Sequence, residues 1–225
     1  MIKAIAFDLD DTLLDTTGIL VPKASADAFQ ILIQNELKLT LDECQILRLK
    51  MIQKMTHKEF FKILVSDHGT PKTLSALQAA TDAFYKPELP VKLPLLPGAI
   101  ENINFLKTKY KLYLVTAGIE ATQRSKAKSL GIESNFEQIF VVNSFINQRK
   151  EDIFLEIIKK NNLLNNELLC IGNSLSSEIF DAIKIGARAC YFEFGEERTA
   201  YPSDPSQQPH YHIRKHSELI TTCKL

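Results

Sequence analysis

The chain has 225 residues, 45% of them hydrophobic, and its 27 basic and 27 acidic side chains leave a formal net charge of zero. That length supports a full core in one large domain or two smaller ones. Balanced charge gives no positive field for nucleic acid and no basic amphipathic stretch for a membrane surface, and no apolar run approaches the roughly 18 residues of a spanning helix.

Ile2 to Phe7 has the length and apolar density of a buried strand. Its start at Ile2 leaves no room for a secretory leader, so a cytoplasmic protein is expected. At its end stands Asp8-Leu9-Asp10-Asp11-Thr12. Three carboxylates at a strand tip repel one another and resist burial as charges. A bound cation would offset that cost, as would chemistry that needs one carboxylate ionised and another protonated. The cluster is a candidate site on those grounds alone.

Residues 16–93 change character. Apolar side chains recur every three or four positions over Ala26 to Leu37, Leu41 to Met55, Phe60 to Val65 and Leu74 to Tyr85, and no strand interrupts them. An all-helical insert is expected, its return bracketed by Pro87, Pro90, Pro94 and Pro97. From Gly98 onward helices and strands alternate. A helix from Gly98 to Tyr110 precedes the strand Lys111 to Val115, which ends in Thr116-Ala117-Gly118. A helix to Leu130, a strand over Phe136 to Val142 and a helix over Glu151 to Asn161 follow. Next come a strand Leu168 to Ile171 ending at Gly172, a helix to Ile185 and a strand Ala189 to Phe192. Tyr211 to Ile213 reads as a last short strand, with Ser217 as the cap of a final helix. Such alternation predicts an α/β fold, a Rossmann-like parallel sheet covered by helices on both faces. Ligands of such sheets sit at the carboxyl ends of the strands. The expected organisation is a core of residues 1–15 and 94–225 with a helical cap of residues 16–93.

Taken in this order, the motifs resemble those of the haloacid dehalogenase (HAD) superfamily of phosphohydrolases. Asp8-Leu9-Asp10-Asp11-Thr12 is similar to its first motif, Thr116 after an apolar strand to its second, and Lys150 leading into a helix to its third. Gly172-Asn173-Ser174-Leu175-Ser176-Ser177-Glu178 resembles the fourth. Pro97-Gly98-Ala99 before a helix is a further family habit, and the helical insert resembles the lid type called C1. The resemblance implies Asp8 as a nucleophile that forms an aspartyl-phosphate, and Asp10 as the acid that protonates the leaving oxygen and then activates water. It implies that Thr116, Ala117 and Gly118 supply donors to the phosphoryl oxygens and that Lys150 neutralises the phosphate, with Arg149 the alternative if the loop register slips by one.

The fourth motif departs from the family pattern. An aspartate is usual at the positions of Asn173 and Glu178; here the first is a neutral amide and the second is one methylene longer. The implied Mg2+ would be held by Asp8, Asp10, Asn173 and Glu178, with Asp181 a reserve acid one helical turn on. The implied reaction is magnesium-dependent hydrolysis of a phosphate monoester on a small phosphorylated metabolite, by a monomer or weak dimer. The alternatives are a phosphomutase, and a catalytically degenerate HAD fold kept for binding or regulation. The departures at Asn173 and Glu178, with Ala117 as a lesser oddity, motivate the latter.

The remaining signals are weaker. Cys44, Cys170, Cys190 and Cys223 match no zinc or redox spacing and read as reduced structural thiols. His210, His212 and His216 could share a metal but read as an ordinary loop-edge cluster. Lys50, Lys54 and Lys58 would form a basic stripe if one helix ran through all three. There is neither a P-loop nor a G-x-S-x-G elbow.

Overall fold

The structure, a computed structural model, describes residues 1–143, 148–196 and 199–225. The chain divides into two compact units, one of Thr16–Glu88 and one of Met1–Asp15 with Leu89–Leu225. Residues 89–93, grouped with the helices in the sequence reading, belong to the second of these. There the Leu93 N–H donates to the Ser129 carbonyl, and Ser129 Oγ donates to that of Pro90.

The Thr16–Glu88 unit is helical: α1 (Thr16–Ile19), α2 (Val21–Gln34), α3 (Leu41–Met51), α4 (His57–His68) and α5 (Pro71–Tyr85). Three of these helices start at a threonine whose side chain accepts from the backbone N–H three residues on. Thr40 pairs with Glu43, Thr56 with Glu59 and Thr70 with Thr73, each closing a reciprocal capping box. Such a cap contributes about 1 kcal/mol by satisfying donors that the helix cannot. The helices bury Phe29, Phe60 and Phe61, with Phe29 edge-on to the other two at ring separations of 6.1 and 5.9 Å. No single helix carries Lys50, Lys54 and Lys58: α3 ends at Met51, Lys54 lies in the turn and α4 starts at His57. The stripe is therefore broken, because the Thr56 cap starts a new helix between its last two members.

In the other unit six strands form one sheet: β1 (Ala4–Phe7), β2 (Lys111–Ala117), β3 (Gln138–Val142), β4 (Leu168–Gly172), β5 (Arg188–Phe192) and β6 (Tyr211–Ile213). Their order is β3-β2-β1-β4-β5-β6, and every pair is parallel. The expected α/β Rossmann-like sheet is thus present. Central β1 is buried along its whole length, which is why it reads as an unbroken apolar run. The helices are α6 (Ala99–Leu106), α7 (Glu120–Ser129), α8 (Lys150–Lys160), α9 (Phe180–Lys184) and α10 (His216–Cys223). Ala4, Ala6, Tyr113, Val115, Leu168 and Cys170 point to one face and meet Phe154, Ile157 and Ile158 of α8. The chain leaves β1 toward β2 and β3 on one side and toward β4 on the other. The strand order therefore switches at β1, where such sheets hold their ligands.

Two local readings change. The segment Leu175–Ile179 before α9 is a wide helical turn with a non-helical Ser177, not the continuous helix expected up to Ile185. Ser217 does not cap the final helix, which starts one residue earlier; Glu218 instead accepts from the Arg214 and Lys215 N–H groups. All four cysteines are buried and unbridged. No helix among the described residues is long and apolar enough to cross a membrane.

The three C-terminal histidines serve different partners. His210 Nδ1 accepts from the Ala189 N–H, and His212 pairs with Glu193. His216 is buried, with Nε2 2.8 Å from the Thr12 carbonyl and Nδ1 3.4 Å from the Asn102 amide nitrogen. A carbonyl on one side and an amide donor on the other select the neutral Nε2–H tautomer. Burial holds the imidazole below its ordinary value, with the Thr12 hydrogen bond and Glu101 opposing only in part. A lowered imidazole value means that the unfolded chain binds the extra proton first. The stability contribution is therefore complete above the ordinary value of 6.5 and is lost as pH falls below it. We expect His216→Gln to lose less thermal stability than wild type between about pH 7 and pH 5. Parallel pH profiles of the two proteins would contradict this.

Candidate active site

Adjacent strand tips build the site. The ladder runs one step past β1, because the Asp8 N–H donates to the Ile171 carbonyl at 2.9 Å, fixing Asp8 beside the end of β4. The chain then turns sharply. Leu9 enters the core, and Asp11 takes a left-handed backbone (φ 52°) as its N–H bonds the Leu14 carbonyl. Asp11 lies against Gly195, where an added Cβ would sit 2.3 Å from its carboxyl. Gly195 is therefore needed for close approach, and Asp11 is a packing acid of the loop.

Lys150 is the cation that the acidic cluster calls for. Its Nζ lies 2.7 Å from Asp8 Oδ1 and 2.8 Å from Glu178 Oε2, and all three side chains are at most 8% exposed. A lysine at the first residue of a helix opposes the helix dipole. The two carboxylates, with Glu151 and Asp152 in the same turn, compensate. Removal from water pushes the Asp8 carboxyl up to about 7; Lys150 pulls it down, while Glu178 and Asp10 add to the rise. Asp8 and Glu178 raise the Lys150 ammonium above its ordinary value despite burial. Asp8 Oδ2 carries no hydrogen bond among the described residues.

Glu178 is fully engaged. Its second oxygen accepts from the Ser174 N–H at 2.6 Å. The carboxylate lies so close to Gly172 that an added Cβ there would stand 2.3 Å from Oε1. Glu178 thus ties the fourth motif to Lys150. Asn173 is buried and donates from Nδ2 to the Phe194 carbonyl at 3.1 Å, which turns its Oδ1 away from that contact. Asp181 is turned elsewhere: it accepts from the Arg149 guanidinium (Nε at 2.9 Å) and from the Glu151 N–H. Arg149 and Asp181 therefore anchor the start of α8, and Lys150 is the residue that faces Asp8.

Thr116 is buried near the end of β2, and its Oγ1 accepts from Gln123 Nε2 at 2.6 Å, leaving the hydroxyl hydrogen to donate. The Gly118 N–H is engaged with the Val142 carbonyl, so Gly118 (φ 146°) contributes room, with Gln123 filling the space that a Cβ would need. Ala117 is half-buried at the last position of β2. Sequence reasoning missed Gln123 and Lys126. Lys126 Nζ is 2.6 Å from Asp10 Oδ1 and Gln123 Nε2 is 2.7 Å from Asp10 Oδ2. Their signal was available: Gln123, Lys126 and Ala127 fall at i, i+3 and i+4, so two polar side chains share the buried stripe of α7.

This arrangement of acids and lysines at the strand tips agrees with the match of residues 5–191 to the haloacid dehalogenase-like hydrolase family. The chain belongs to that family. A glyceraldehyde 3-phosphate phosphatase of Pyrococcus abyssi is 28% identical over 201 residues, covering 87% of this chain and 83% of that protein. Among solved structures, Bacillus subtilis YfnB in a magnesium-bound crystal form superimposes with a TM-score of 0.70 at 24% identity, covering 98% and 97% of the two chains. A HAD phosphatase from Thermococcus onnurineus gives 0.63 at 23% identity, with the same coverage. These two likenesses show the fold.

Because the raised Asp8 carboxyl takes up a proton more readily in the folded than in the unfolded chain, the Asp8 contribution to metal-free stability is greatest below its ordinary value of 3.8 and is lost as pH rises through about 7. Asp8→Asn removes the buried charge. It should stabilise the metal-free protein at pH ~8 by up to a few kcal/mol, and by less at pH ~5. Thermal unfolding at the two pH values reads this directly, and an equal effect at both would contradict it.

Proposed function

We propose that this hydrolase is a magnesium-dependent phosphatase that cleaves the phosphate monoester of a small metabolite through an aspartyl-phosphate on Asp8. One observation carries the reading: a buried carboxylate with Oδ1 held by Lys150 and Oδ2 uncommitted, next to the more exposed Asp10. In this reading Asp8 Oδ2 attacks phosphorus, the ester P–O bond breaks, and Asp10 gives its proton to the leaving oxygen. Water then attacks phosphorus, Asp10 takes its proton, and the acyl P–O bond breaks to return Asp8 and free phosphate. Lys150 and the Thr116 hydroxyl stabilise the phosphoryl oxygens as charge builds on them, with Ala117 and Gly118 shaping the turn. The name of the Pyrococcus abyssi relative supports a short phosphorylated carbon chain as the substrate class. The helical unit takes the part of a C1-type cap that closes over substrate and excludes water.

The donor set suits magnesium. Asn173 Oδ1 is a hard oxygen with no hydrogen bond among the described residues, and Asp8 would bind through Oδ1, where Lys150 takes one of two lone pairs, so that Oδ2 stays the nucleophile; Mg2+ is commonly held by one or two protein oxygens together with waters and phosphate. Asp10 and Glu178 would add their carboxylates through the lone pairs that Lys126 and Gln123, or Lys150 and Ser174, leave open. Bound there, the ion would neutralise phosphoryl charge.

Hydrolysis of p-nitrophenyl phosphate with and without magnesium tests the reading. Asp8→Asn should lower kcat by at least about 10³-fold. Activity that survives this change would exclude the proposed nucleophile. Asn173→Asp restores a charged oxygen and should tighten magnesium binding about tenfold in a calorimetric titration; unchanged or weaker affinity would remove Asn173 from the ligand set. The neutral Asn173 also supports a second reading, a binding or regulatory protein, which wild-type inactivity with every divalent cation would favour.

A further inference from the structure

We propose that Gln123 and Lys126 form a two-point clamp that fixes the Asp10 carboxylate as proton acceptor for the water that hydrolyses phospho-Asp8. The inference rests on the reading of Asp8 and Asp10 given above and assigns a task to two residues outside the motifs that carry it.

The geometry is specific. Each Asp10 side-chain oxygen receives a donor from α7: Lys126 Nζ at 2.6 Å on Oδ1 and Gln123 Nε2 at 2.7 Å on Oδ2. The two residues are one helical turn apart, so a single rigid element sets both contacts. Both are nearly buried, at 2% for Gln123 and 7% for Lys126, whereas the Asp10 side chain is 28% exposed. The clamp therefore grips from the protein side, while part of the Asp10 side chain stays exposed to solvent. Gln123 also donates to Thr116 Oγ1 at 2.6 Å, so one amide sets the positions of the base and of a phosphoryl-binding hydroxyl together. A glutamine has two N–H donors, and both are used here.

A carboxylate that accepts from an ammonium and an amide is held ionised and in one orientation, the state in which it must meet the water of the second half-reaction. In the second half-reaction water adds to phosphorus, its proton moves to Asp10, and the Asp8 Oδ–P bond breaks with the electron pair returning to Asp8. Holding Asp10 in one rotamer removes the orientational search from that step. The first half-reaction gains less from the clamp, because it needs Asp10 protonated. Gln123 and Lys126 are positioning residues, since they act through Asp10.

Pre-steady-state release of p-nitrophenol from p-nitrophenyl phosphate tests this, because that leaving group departs with little protonation. With magnesium present, Lys126→Met should lower steady-state kcat by roughly 10–100-fold, a part of the 10²–10⁴ carried by a general base. KM should fall with kcat, a burst of p-nitrophenol should appear, and phosphoenzyme should build up in the intact mass. Lys126→Arg should restore most of kcat. A fold-damaged enzyme would lose the burst along with turnover. In the Asp10→Asn background, Lys126→Met should have no further effect on kcat. Loss of kcat in Lys126→Met with no burst, no fall in KM and no rescue by arginine overturns the clamp, provided that Asp10→Asn itself gives a burst. If Asp10→Asn turns over without one, the reading of Asp10 fails, and the clamp with it.

Discussion

One buried ammonium organises this molecule. Lys150 shares its charge between Asp8, 142 residues earlier, and Glu178, 28 residues later. None of the three could be buried as an ion alone, since an unpaired charge in such surroundings is strongly disfavoured. Each is held in place by a different part of the sheet: Asp8 by the ladder between β1 and β4, Lys150 by the first turn of α8, and Glu178 by its lodging over Gly172. The contact is thus a consequence of the parallel topology, and it also fixes how the strand tips sit against one another.

A second cation, Lys126, attends to the other acid. The tip of β1 therefore carries two carboxylates, each with its own lysine and in a different environment. Asp8 is nearly enclosed, and burial makes its negative charge costly; Asp10 is partly exposed to solvent and held by two donors. Two chemically identical groups set apart by surroundings can take different roles in one reaction. The third acid, Asp11, belongs to the turn and packs against Gly195.

The fourth motif shows how a substitution is absorbed. A glutamate one methylene longer than aspartate reaches back to the Ser174 N–H and across to Lys150, and the bare Gly172 makes room for it. Asn173 keeps an oxygen directed away from the Phe194 carbonyl while its nitrogen anchors the loop. The wide turn at Leu175–Ile179 places Glu178 for this task, where a regular helix was expected.

The parallel α/β sheet, the helical character of residues 16–88 and the acids of the first motif were all legible in the chain, because periodicity and strand-end clusters are local signals. So were the T-x-x-E boxes at Thr40 and Thr56, although hydrophobic spacing alone passed over them. The partners were not legible. Nothing near Asp10 in sequence announces Gln123 and Lys126, which lie 113 and 116 residues away. Local order determined which residues stand at strand tips and helix starts. Only the tertiary structure decided that Glu178 braces Lys150, that Arg149 turns to Asp181 and that His216 supports the Thr12 turn, because these contacts follow from strand order and burial, which a linear pattern does not encode.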